Sequence, residues 1–184
     1  MEKNRILKEL FPENYFQSME KLLELCTHKQ QVKFALFCAE NLEKFYDKNK
    51  YTKIYIVRQR ILKLVKVWLK HKNSVTRKQF EREITTVIKE MQKATNAAAY
   101  SAANAAVNAA YAASDAAYAA ANAAANAANA AAYAATNAEA SSSSENNYWL
   151  LQQKYKLYHF ELIKFITLDK GYNIAALEIL YGQA

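Results

Sequence analysis

The sequence predicts an all-α protein: a multi-helix bundle with two closely packed Ala-rich helices and no sheet. Three observations carry that prediction. Gly and Pro together number three in 184 residues, too few for the turns that a sheet needs. Apolar residues recur at three- and four-residue spacing along most of the chain, the period of an amphipathic helix. And 29 of the 34 alanines fall between Ala94 and Ala140, which fills that stretch with the strongest helix former. The length suits one domain, 1–184. Within it we distinguish a basic helical half (1–93), the Ala-rich helices (94–140) and C-terminal helices (145–184).

The elements follow in order. Residues 3–11 and 16–26 give two short helices, the first stopped by Pro12. Thr27 precedes Gln30 by three, a capping-box spacing, and the pattern then runs on as helix to about Asp47. Val32, Ala35, Leu36, Ala39 and Leu42 line one of its faces, and Phe34, Phe37, Cys38 and Phe45 another. A helix apolar on nearly all sides belongs in the interior. Residues 53–71 form the next, with Ile54, Val57, Ile61, Leu64, Val65 and Trp68 inward. Thr76 and Gln79 repeat the capping-box spacing before a helix holding Phe80, Ile84, Val87, Ile88 and Met91. No break is evident between that helix and the Ala block. Ser141 to Ser144 reads as a linker or cap. A long helix follows over 148–168, carrying Trp149, Tyr155, Leu162 and Phe165, and 173–181 closes the chain.

Inside the Ala block the other residues recur about every 3.67 positions, an eleven-residue repeat. Tyr100, Tyr111, Asn122 and Tyr133 match across it, as do Asn104, Asp115, Asn126 and Asn137. Such a helix has one Tyr/Asn stripe and Ala elsewhere. Unbroken helix from 77 to 139 would run about 95 Å at 1.5 Å per residue. A compact chain of this size has a radius of gyration near ~16 Å. A break is therefore expected at Ser114-Asp115, both N-cap types. Small Ala faces gain little from burial, which leaves room for a second copy covering them as a homo-oligomer. Lys, Asn, Ile and Tyr elsewhere reflect AT-rich codons. The GC-rich Ala codons run against that bias and point to a packing constraint.

Chemistry has few candidates. His28, His71 and His159 are scattered, and Cys26 and Cys38 lie twelve residues apart, without metal or redox spacing. No phosphate loop or nucleophile motif is present. We expect no enzyme, no cofactor and no metal. His159 reads as a solvated or hydrogen-bonded side chain and Cys38 as packing. The charged start at Met1 is no signal peptide, and no run of 18 apolar residues suits a membrane. A cytoplasmic protein is expected.

Charge is the sharpest local signal. Between Asp47 and Glu81 lie 33 residues with eleven Lys/Arg and no acid, while the remainder holds 14 bases and 17 acids. The whole net charge of +8 thus comes from one segment. Lys53, Arg58, Arg60, Lys63, Lys66 and Lys70 are the candidate basic ridge, with tyrosines at its flanks. It would take an acidic surface of a protein, or RNA or DNA phosphates. A purely structural helix face usually interleaves acids for i,i+4 pairs, although a solvated face is the plain alternative. Tyr100, Tyr111, Tyr118 and Tyr133 form a second candidate, a recognition stripe. Packing over neighbouring helices is its plain reading.

The segment Phe34-Ala-Leu-Phe-Cys-Ala-Glu40, then a helix ending in Val67-Trp68, then an Ala-saturated tract, resembles an Ala-rich bacterial family of immunity proteins. The resemblance spans roughly 28–140. The family's Ala tract usually carries His and Arg where this chain has Asn and Tyr, and its Asp-x-Arg-Pro stretch is replaced by Tyr51-Thr-Lys-Ile-Tyr-Ile56. The resemblance implies a non-enzymatic inhibitor that neutralises a toxin or a host-defence nuclease by stoichiometric binding. A phage- or mobile-element-encoded inhibitor of anti-CRISPR type fits the same features, and a basic helical nucleic-acid-binding protein is the rival.

Overall fold

The structure, a computed structural model, describes residues 15–24, 26–40, 42–71, 74–115, 117–139 and 144–168. All regular structure among them is helical: α1 (Tyr15–Glu24), α2 (His28–Ala39), a 3-10 helix (Leu42–Phe45), α3 (Thr52–Lys70), α4 (Arg77–Met91), α5 (Ala97–Ser114), α6 (Ala117–Glu139) and α7 (Ser144–Leu168). The expected helices at 3–11 and 173–181 lie outside the described residues. So do Ser141–Ser143 of the expected linker, and α7 begins at Ser144 rather than Tyr148.

Both capping boxes form. The Thr27 and Thr76 hydroxyls accept from the backbone N–H of Gln30 and Gln79, whose side chains accept from the threonine N–H in return. Each satisfies two orphan donors of a helix start. The break at Ser114-Asp115 is present too. Asp115, extended at φ −93° and ψ 169°, donates its N–H to Tyr111 and so closes α5.

Two helix ends differ from expectation. A second break separates α4 from the Ala block, because Asn96 caps α5 by accepting from Ala99 N–H at 2.8 Å. Thr95-Asn96 is itself an N-cap signal, and the surrounding helical periodicity masked it. And α2 stops at Ala39 instead of running to Asp47. Glu40 is extended (φ −71°, ψ 167°) and the chain continues as a 3-10 helix. Two cations from α3 hold that end: Arg58 Nη2 donates to the Ala39 carbonyl at 2.6 Å, and Lys66 Nζ meets Glu40 Oε1 at 2.7 Å. Cations are favourable at a helix C-terminus, so tertiary contacts set this boundary.

The Ala-rich pair is the centre of the molecule. Helices α5 and α6 pack on one another. Helix α2 lies against both, α3 and α4 flank α5, and α1 and α7 flank α6. Ala102, Ala106, Ala109, Ala124, Ala128 and Ala131 are wholly buried. The outer helices bring the volume: Phe34, Leu36, Ile61, Val65, Phe80, Val87 and Leu162 join the alanines in one core. Small central side chains let large peripheral ones close-pack. Most of the Ala surface is covered by this chain's own helices. Most of what the neighbours leave exposed on α5 and α6 is the polar stripe, with Tyr100, Tyr111, Asn122, Asn126 and Tyr133 facing water beside Ala97, Ala119 and Ala138 near the helix ends.

Helix α2 is interior as its composition demands, touching α3, α5, α6 and α7. Its buried Gln31 donates to the Leu23 and Cys26 carbonyls at 2.8 and 3.3 Å, which joins the α1 end to the α2 start. Two of the apolar residues noted on these helices lie outside the core: Ile88 is 37% exposed and Trp149 61%.

Candidate partner-binding surface

Helix α3 forms because Ile54, Val57, Ile61, Leu62, Val65 and Trp68 repeat at helical spacing and bury against its neighbours. Trp68 also stacks near His28, ring centres 5.0 Å apart. His28 Nε2 in turn lies 2.8 Å from the Ala112 carbonyl, at the end of α5. Anchored this way, α3 turns its other face outward. Lys53, Arg60, Lys63, Lys66 and Lys70 are all exposed along it. Ile56 sits among them, 44% exposed.

Arg58 does not belong to that face. It is wholly buried, with its guanidinium on the Ala39 carbonyl. Sequence spacing contains the reason: residue 58 is four after Ile54 and three before Ile61, on the inner stripe. Grouping by charge had placed it outward. Lys66 is exposed yet engaged with Glu40, so Lys53, Arg60, Lys63 and Lys70 form the more available set.

Local electrostatics do not explain this arrangement as a stability device. The first turn of α3 has no acid, Tyr51 makes no side-chain cap, and Lys53 occupies the positive end of the helix. A cation there costs roughly 0.3–1 kcal/mol at low salt. Two lysines before the helix face aromatic rings: Lys48 Nζ lies 6.0 Å from the Tyr55 ring centre and Lys50 Nζ 5.7 Å from that of Tyr51. Tyr51 itself is fixed by a hydroxyl–hydroxyl bond to Thr95 at 3.1 Å. The cationic surface continues into an open cleft of about 420 Å³ between the start of α3 and the end of α4, lined by Lys50, Lys53 and Lys93 together with Glu90. Lys93 donates to Glu90 at 2.8 Å and, with Lys53 nearby, holds that carboxyl below its usual range.

The tyrosine stripe is outward at Tyr100, Tyr111 and Tyr133, on α5 and α6. The Tyr118 side chain lies outside the described residues. No described contact joins this stripe to the basic face, so the two candidates remain separate surfaces. Beside Tyr133, the Tyr155 hydroxyl donates to Asn129 Oδ1, and burial pushes the Tyr155 phenol up.

His159 is a core residue. It is wholly buried between α1 and α7, its Nε2 3.0 Å from Ser18 Oγ and its ring edge-on to Tyr15 at 5.4 Å. Burial lowers its pKa to about 4, which keeps the imidazole neutral at pH 7. Cys38 is buried as well, and burial pushes its thiol well up, away from thiolate chemistry. No helix among the described residues is long and apolar enough to cross a membrane.

No protein family, curated protein or solved structure matches the chain.

Proposed function

We propose that this protein is a non-enzymatic inhibitor of immunity type. It neutralises a protein partner, a toxin or a host-defence nuclease, by stoichiometric binding through the outer face of α3. The observation that carries the reading is the acid-free array of Lys53, Arg60, Lys63 and Lys70 around the exposed Ile56. Cations spread along a rigid helix suit an acidic patch, and complementarity of this kind speeds encounter and fixes register. An apolar side chain between Lys53 and Arg60 favours a protein over a phosphate backbone, since it gains nothing from phosphates and gives a protein partner apolar area to bury.

The resemblance of Phe34-Ala-Leu-Phe-Cys-Ala-Glu40 to the immunity family bears on scaffold more than on contact. Phe34, Ala35, Cys38 and Ala39 are buried, and Glu40 pairs with Lys66. These residues hold α3 against α2. The anti-CRISPR form of the reading uses the same surface with a different target.

The test compares wild type with a charge-reversed Arg60→Glu/Lys63→Glu/Lys70→Glu variant, all exposed sites. We expect a stoichiometric complex with the partner that the variant loses while its circular dichroism is unchanged. Nucleic-acid binding whose affinity falls steeply on a log–log salt plot, with no protein complex, would replace this reading by the nucleic-acid one.

A further inference from the structure

We propose that a second cleft, between the 3-10 helix and α7, is the apolar anchor pocket of the same interface. It takes one large apolar side chain carried in an acidic segment of the partner protein. This rests on the reading of α3 above and adds a second contact with its own chemistry.

The cleft encloses about 240 Å³. That is below the ~300–1,000 Å³ typical of small-molecule and cofactor sites, and it suits a single bulky side chain of the kind that anchors protein interfaces. Its surface is more apolar than polar. Phe37 and Phe45 come from the end of α2 and the 3-10 helix, Ala135 from α6, and Leu157 and Tyr158 from α7. Leu157 is 51% exposed, although it sits on a helix whose Tyr158 and Leu162 are buried. A leucine left half in water on a core helix is apolar area that a partner could still cover.

Charge at the cleft selects the segment around that side chain. Lys44 and Lys154 line it, and Lys44 Nζ lies 5.0 Å from the Phe45 ring centre. Glu40 is the acid among the described residues that line it, and Lys66 holds that carboxylate at 2.7 Å. Carboxylates flanking the inserted residue would therefore meet lysines. The Glu40–Lys66 pair also makes the cleft continuous with the face of α3, since Glu40 lines one and Lys66 belongs to the other. An acidic partner bound along α3 thus borders the cleft at the Lys66–Glu40 pair.

The probe is a synthetic peptide, Ac-Asp-Glu-Asp-X-Asp-Glu-Asp-NH2, with X as Trp, Leu or Ala, titrated into the isotope-labelled protein at low salt. We expect the Trp and Leu peptides to bind about tenfold more tightly than the Ala peptide. Amide shifts should appear at Phe45, Ala135 and Leu157. Leu157→Ala, at an exposed position, should reduce the Trp peptide to the affinity of the Ala peptide without moving the urea midpoint. Equal affinity for all three, with shifts confined to α3, would overturn the anchor pocket and leave the α3 reading standing. Absence of shifts at the cleft with every peptide would overturn the pocket as well. The α3 reading is then decided by the charge-reversed complex, which does not involve Leu157.

Discussion

Arg58 and Arg60 stand two positions apart on α3 and do different work. Arg58 is buried and donates to the Ala39 carbonyl, whereas Arg60 is exposed. Arg58→Ala should therefore cost about 2–4 kcal/mol, through a lost buried hydrogen bond and the cavity left behind. Arg60→Ala should stay within about 0.5 kcal/mol. Urea midpoints of the two variants check this directly. His159 gives a pH dependence. Its folded pKa of about 4 lies below the ordinary 6.5, so burying it neutral contributes stability that is full above pH 6.5. That stability is lost as pH falls toward 4, when the unfolded chain takes up the proton first. Between pH 7.5 and 5 the loss should be about 2 kcal/mol. Denaturant melts at the two pH values measure it, and His159→Gln should flatten the difference. Sequence spacing marked neither the His159–Ser18 contact nor the Arg58–Ala39 bond, because each joins two different helices, 141 and 19 positions apart. Only the inward register of Arg58 was open to reading.

At the scale of elements, local signals were legible and tertiary ones were not. The two capping boxes and the break at Ser114-Asp115 depend on neighbouring residues, and each stands where spacing placed it. The end of α2 depends on Arg58 and Lys66 arriving from α3, and apolar periodicity ran past it. Within the Ala pair, the eleven-residue stripe separates packing from solvation, and substitutions should separate in the same way. Ala109 is wholly buried, so Ala109→Leu overpacks the central pair and should destabilise by about 1–3 kcal/mol or more. Asn126 is exposed on α6, so Asn126→Ala should be neutral or stabilising by up to about 0.7 kcal/mol, the difference in helix propensity. Thermal melts of the two variants moving in the same direction would contradict the stripe.

In the whole molecule, charge and packing are divided between different helices. The alanines of α5 and α6 form a narrow centre that large side chains of the outer helices surround, and apart from Lys66 the cations of α3's outward face make no described ion pair. That face carries cations with no acid between Asp47 and Glu81, set against a slightly acidic remainder. The charge segment and most of its exposed members were legible from composition and period. The cleft at Leu157 was not, since it is assembled from α2, the 3-10 helix, α6 and α7. No single helix period reveals a pocket built from four elements.

The central claim is that the α3 face binds an acidic protein surface. The most direct measurement is capture by wild type and by Arg60→Glu/Lys63→Glu/Lys70→Glu, side by side from nuclease-treated extract of the native cells, with the captured protein then reconstituted in pure form. The account predicts a complex of defined stoichiometry that wild type forms and the charge-reversed variant does not, both being equally helical. A complex that forms equally well with both proteins would contradict it.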